Sequence, residues 1–236
     1  MNREAERGSY RERSRRMHAR KKQVRLQRMA ITGFALLVAV TFLAIVKNGK
    51  AEHSEAYTTA VEQRKRVSFQ TELTIDEQYL TPNSYSRPQT ELKEVTDIVI
   101  HYVANPGSSA QANRDYFENL GKTGERYASS HFVIGIDGEI IQCIPLNEIA
   151  YASNEKNSES ISIEVCHPEE DGKFTDKTMD ALVQLTADLC KAYNLDEEHV
   201  IRHYDVTGKI CPKYFVEHED AWESFREDVK RKINAG

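Results

Sequence analysis

The sequence predicts a single α/β domain, a central mixed β-sheet flanked by about three helices, preceded by one transmembrane helix. Three observations carry that reading. Residues 95–103 (VTDIVIHYV) are nearly continuous in β-branched side chains, as a strand covered on both faces requires. Two later segments, 175–193 and 219–233, repeat apolar residues at spacings of three and four, the period of a helix with one buried side. Residues 29–46 (MAITGFALLVAVTFLAIV) hold no charge and no proline over 18 positions, which as a helix spans about 27 Å at ~1.5 Å per residue and crosses a bilayer's hydrocarbon layer. The composition, 39% apolar and 29% charged over 236 residues, excludes a wholly disordered or collagen-like chain.

Charge is distributed unevenly along the chain. Residues 1–28 carry 11 Lys/Arg against 3 Asp/Glu, or +8, so the formal −5 of the whole leaves −13 for the remainder. A basic run just before an apolar span marks its cytoplasmic side. A cleaved signal peptide would have a short basic region and a small-x-small site after the span, whereas VKNGKAE follows here. The expected order is a basic cytoplasmic arm (1–28), a transmembrane anchor (29–46), an extracytoplasmic stem (47–93) and a folded α/β domain (94–236). The arm's basic run, residues 15–28, has no Phe, Tyr or Trp interleaved, so topology and anionic lipid account for it and no nucleic acid partner is expected. The stem is polar and ends in a turn-rich LTPNSYSRP. A cell-membrane protein with one span, a cytoplasmic amino terminus and a monomeric chain is expected.

Within the domain each element has its own signal. After the strand at 95–103, residues 109–120 read as a helix capped by Ser109, stopped by Gly121, with Tyr116, Phe117 and Leu120 on one side. Residues 131–136 and 139–144 flank Asp137-Gly138, a two-residue hairpin signal. Residues 160–166 alternate, with Ile161, Ile163 and Val165 facing one way and Ser162, Glu164 and Cys166 the other. Thr175 caps a helix whose stripe includes Met179, Leu182, Val183, Leu189, Cys190 and Tyr193. A short strand at 199–203 leads to the closing helix, which buries Trp222, Phe225, Val229 and Ile233.

Two histidines and a cysteine stand at strand ends or in the loops after them: His101 in VIHYVAN, His203 in IRHYD and Cys211 in GKICP. Catalytic zinc takes three protein ligands of this kind and keeps a fourth position open. The same residue types are compatible with a core histidine, a surface histidine and a buried thiol. His131 is read as a group near the cleft or a packed histidine, Asp205 as an imidazole-orienting or turn-capping carboxylate, and His167 as a loop residue. Cys143 and Cys166 are read as unpaired buried thiols, although a disulfide between them is conceivable.

The stretches LTPNSYSRP, IVIHY, SSHFVIGIDGEIIQCIP, SISIEVCHPE and VIRHYDVTGKICP together resemble the zinc-dependent N-acetylmuramoyl-L-alanine amidases of type 2, over about residues 80–230. That family shares its fold with phage lysozyme-type amidases and animal peptidoglycan-recognition proteins. The resemblance implies that His101, His203 and Cys211 ligate Zn2+, that Glu164 is the catalytic acid/base, and that Lys209 faces the scissile carbonyl. It also implies peptidoglycan as substrate, cut between N-acetylmuramic acid and L-alanine. Ser130 stands where the phage lysozyme branch has a catalytic tyrosine, and Ala150-Tyr151-Ala152-Ser153 replaces a Trp-His-Ala-Gly run in the substrate groove. Two alternatives of the same fold are a non-catalytic peptidoglycan-binding module and a zinc amidase acting on soluble muropeptides.

Overall fold

The computed structural model describes residues 69–235. The basic arm, the apolar span at 29–46 and the first part of the stem lie outside them. Among the described residues no helix is long and apolar enough to cross a membrane.

Six strands form one sheet in the order β1-β4-β3-β5-β2-β6, where β1 is Ile75–Glu77, β2 Asp97–Tyr102, β3 Phe132–Ile134, β4 Ile140–Gln142, β5 Ser160–Val165 and β6 Val200–Arg202. Only β3 and β4 run antiparallel; every other pairing is parallel, so the sheet is mixed as expected. Helix α1 (Ala110–Thr123) covers one face, where Phe117 and Leu120 pack with Val133, Ile141 and Cys166. Helices α2 (Asp176–Tyr193) and α5 (Glu219–Asn234) cover the other. There Leu182, Leu185, Leu189, Phe225 and Val229 meet Ile98, Ile100, Ile161 and Ile163. Because both faces are covered, β2 must be apolar along its length, which is why its periodicity of two is lost. Two short helices, α3 (His203–Thr207) and α4 (Lys213–Glu217), were not expected from the pattern, and α4 anchors itself through Phe215, stacked on Phe225 at 5.3 Å between ring centres.

Several boundaries differ from the expectation. Residues 75–92 fall in the stretch read as stem, yet they are built into the domain: β1 pairs with β4, Leu80 is fully buried, and the Arg87 guanidinium grips the Glu148 carboxylate through two bonds of 2.8 Å. Strand β1 is only three residues long and two are acidic, so it offers no alternation to read. Helix α1 runs through Gly121 and ends at Gly124, whose φ of 65° makes the left-handed cap. Gly121 is there for clearance, since a Cβ would come within 2.8 Å of the Asn83 side chain. Tyr116 is exposed, although its ring meets that of Phe117 at 5.9 Å between centres.

The hairpin turn is also longer than the dipeptide suggested. The Gly138 N–H donates to Gly135 O and the Gly135 N–H to Glu139 O, leaving a three-residue loop with Gly138 at φ 85°. The strand expected at 199–203 shortens to Val200–Arg202, and His203 becomes the first residue of α3. That start is set locally, because the Asp205 carboxylate accepts from the Arg202 N–H at 2.8 Å and from its guanidinium at 2.9 Å. Of the two roles read for Asp205, the structure takes the capping one.

Candidate metal centre

Strand order decides which side chains meet. Parallel strands β5, β2 and β6 are neighbours, and their carboxyl ends lie together. His101 pairs in register with Glu164 across β2 and β5. On the other side of β2, Ile100 pairs with Arg202, so His203 emerges beside His101, with the two imidazole centres 4.7 Å apart. Cys211 arrives from the loop after α3, which folds back far enough for the Tyr204 N–H to donate to Cys211 O at 2.9 Å. One ligand atom each from His101, His203 and Cys211 lies within 4.8 Å of the others, and all three residues are buried.

The donor set fits a single divalent ion of the zinc type by its chemistry and by its spare valences. His101 Nε2 is engaged by Ser153 Oγ at 3.0 Å and His203 Nε2 by Asn154 Oδ1 at 3.1 Å. Each ring therefore has its Nδ1 left over. His101 Nδ1 is 3.9 Å from Cys211 Sγ, and His203 Nδ1 is buried with no hydrogen-bond partner among the described residues. Two imidazoles and a thiol, with buried nitrogens aimed at one point, are the ligand type and number of a three-protein-ligand zinc site.

The electrostatics are those of buried titratable groups beside one exposed ammonium, that of Lys209. Burial, then the neighbouring His203 and Lys209, hold the His101 imidazole well below its usual range; burial and Lys209 lower His203. Burial and the Glu164 carboxylate push the Cys211 thiol up to about 12, so binding a cation there requires expelling a proton. Glu164 is pushed up to about 8 by burial, opposed by the charge of Lys209, and its Oε2 is buried without a hydrogen-bond partner among the described residues. Such a carboxyl can either hold or release a proton near neutral pH.

These groups open onto a cleft of about 720 Å³ lined by His101, Glu164, His203 and Lys209 and rimmed by Tyr127 and Tyr151. Lys209 is exposed; Tyr127 is 63% exposed and stacks on Tyr85 while meeting Tyr151 edge-on. All five residues singled out from the sequence thus gather at one place.

The other candidates lie elsewhere. His131 is a packed histidine: its Nδ1 accepts from the Ser162 N–H at 3.0 Å, its Nε2 donates to Glu148 O at 2.9 Å, and burial lowers it to about 4. His167 follows β5 and is buried, stacked on Tyr102, with Nδ1 donating to Glu169 O. The Ser130 hydroxyl donates into the sheet, to Phe132 O at 2.9 Å. Cys143, Cys166 and Cys190 are free, buried thiols. Ser153 and Asn154, which touch the two imidazoles, escaped the sequence reading. Their only signal was the departure of the run ending at Ser153 from the family pattern.

Comparison with known proteins gives a consistent result. The family model described as N-acetylmuramoyl-L-alanine amidase matches residues 91–214. The N-acetylmuramoyl-L-alanine amidase CwlL of Bacillus licheniformis is 39% identical over 163 residues, covering 64% of this chain and 45% of that protein. The amidase BlyA of Bacillus subtilis is 34% identical over 177 residues, covering 66% of this chain and 47% of that protein. The chain thus spans about half the length of the curated relatives it matches. Among solved structures, the catalytic domain of XlyA superposes with a TM-score of 0.56 at 28% identity, over 66% of this chain and 99% of that one. PlyL does so with 0.58 at 26%, over 67% and 98%.

Proposed function

The chain belongs to the N-acetylmuramoyl-L-alanine amidase family, and from that membership we propose that it hydrolyses the amide joining N-acetylmuramic acid to the L-alanine of the peptidoglycan stem peptide. The single observation that carries the reading is the convergence of His101, His203 and Glu164, at the ends of adjacent strands, with Cys211 from the loop after α3, beside one cleft. His101 Nδ1, His203 Nδ1 and Cys211 Sγ would hold Zn2+. The ion, when bound, supplies Lewis-acid polarisation of the amide carbonyl and acidifies the attacking water.

The remaining chemistry belongs to the chain. Glu164, desolvated and with one oxygen unbonded among the described residues, takes the water's proton and returns it to the departing L-alanine amine, a role worth typically ~10²–10⁴-fold. Its position next to His101 in register puts base and metal ligands on one rigid scaffold. Lys209 brings its ammonium to the cleft, where it offsets the negative charge that develops on the carbonyl oxygen. Tyr127 and Tyr151 at the rim give the substrate's flat faces something to lie against.

We also propose that residues 29–46 anchor the chain in the cell membrane with the domain on the outer side; support comes from the apolar run, the basic arm before it and an extracytoplasmic substrate. The test is product analysis on isolated cell walls. New amino-terminal L-alanine that disappears with a chelator supports the amidase. Binding to walls without any released amine assigns the chain to the non-catalytic module instead, and cleavage of soluble muropeptides alone assigns it to the other alternative.

A further inference from the structure

We propose that Ser153 and Asn154 are positioning residues that fix both imidazoles of the metal centre in the tautomer presenting Nδ1 to the ion. The inference rests on the zinc reading above and goes beyond it by assigning residues that ligate nothing. Each makes one bond to one ring: Ser153 Oγ at 3.0 Å from His101 Nε2, and Asn154 Oδ1 at 3.1 Å from His203 Nε2. A carbonyl oxygen only accepts, so His203 must carry its proton on Nε2 and leave Nδ1 bare. For His101 the serine hydroxyl is able to accept or donate, and the proposal gives it the acceptor's part, with Nε2–H as the donor.

The loop that presents the pair is itself pinned. Asn157 Oδ1 accepts from the Ala152 N–H at 3.0 Å and from the Ser153 N–H at 2.6 Å, and Ser153 is fully buried. Asn154 sits at φ 53°, in the left-handed region that asparagine tolerates better than most residues, and opens the 3₁₀ turn Asn154–Ser158. Two consecutive residues of one loop thereby address two histidines that are 102 positions apart in the chain. Without them, each neutral ring would partition between its two tautomers, and the one with its proton on Nδ1 would turn that proton toward the ion. Groups of this kind outside the ligand shell typically change metal affinity about 10–100-fold.

The experiment uses the full chain and measures zinc affinity by competition with a chromophoric chelator. Asn154→Gly removes the acceptor while keeping the φ without strain, and Ser153→Ala removes the hydroxyl. Each should weaken zinc binding roughly 10–100-fold while the thermal midpoint of the chelator-stripped protein stays close to the parent's. Asn154→Asp, an acceptor with no donor, should retain parental affinity. Imidazole ¹⁵N spectra of the stripped protein should show Nε2–H for both rings in the parent and a tautomer mixture for His203 in Asn154→Gly. Parental zinc affinity in both Asn154→Gly and Ser153→Ala overturns the inference, as does loss of affinity in Asn154→Asp. A parent that binds no zinc overturns the underlying reading as well, so the two failures are told apart.

Discussion

Acidification should unload the domain through His131. This imidazole is buried between β3 and the segment that carries Glu148, and both of its nitrogens are committed: Nδ1 accepts from the Ser162 N–H and Nε2 donates to Glu148 O. A second proton would have to sit on Nδ1, against the Ser162 N–H and with the Ser162 hydroxyl oxygen, 3.0 Å away, as its acceptor. Burial holds the folded ring at about 4 rather than 6.5, opposed by its bond to the Glu148 carbonyl. The unfolded chain takes up this proton near pH 6.5 and the folded one only near 4, so the stability is fully present above the unfolded value and is lost as pH falls through that window. A gap of this size corresponds to roughly 3 kcal/mol at ~1.4 kcal/mol per pH unit. Glu164 acts in the opposite direction, losing stability as pH rises from 4.5 to about 8, so the clean measurement is a difference between proteins. Urea denaturation of the parent and of His131→Gln from pH 7 downward should show a stability gap that narrows by roughly 3 kcal/mol on reaching pH 4. A gap independent of pH refutes the reasoning. If the variant does not fold, NMR titration of the parental ring decides the matter, and a midpoint at the ordinary 6.5 contradicts it.

Other outcomes follow from the same geometry. Glu164→Gln should keep the fold and the zinc but lose on the order of 10²–10⁴ in turnover on cell walls, and parental turnover would remove Glu164 from the acid/base role. Lys209→Met, at an exposed position, should lower kcat by about 10²–10³ with little change in thermal midpoint. Arg87→Met strands the buried Glu148 carboxylate and should cost about 3–5 kcal/mol in denaturation, whereas adding Glu148→Leu should recover much of it.

How much of this was legible beforehand depends on how each feature is encoded. The strand around His101 announces itself because burial on both faces demands an unbroken β-branched run, and the two long helices after it do so through their stripes. The ligand trio was legible because the H-Y-D-x-x-x-K-x-C-P segment binds two of the three ligands and Lys209 into one short, specific pattern. Strand β1 was not, since three residues with two acids owe their pairing with β4 entirely to tertiary context. Helix α1 overran Gly121 because the constraint there is clearance from Asn83, a neighbour 38 positions away, while the true stop at Gly124 is a backbone conformation. His203 moved from strand to helix start for a reason equally local and equally silent, the grip of Asp205 on Arg202. Ser153 and Asn154 are ordinary polar residues whose importance lies only in what they touch.

The central claim is that His101, His203 and Cys211 hold one zinc ion and that hydrolysis depends on it. Elemental analysis of the purified full chain, beside Cys211→Ser, tests it most directly. The account predicts equimolar zinc in the parent, with chelator-sensitive cleavage of cell walls, and the loss of both in Cys211→Ser. Zinc retained undiminished in Cys211→Ser, or wall cleavage by parental protein that carries no metal, would contradict it.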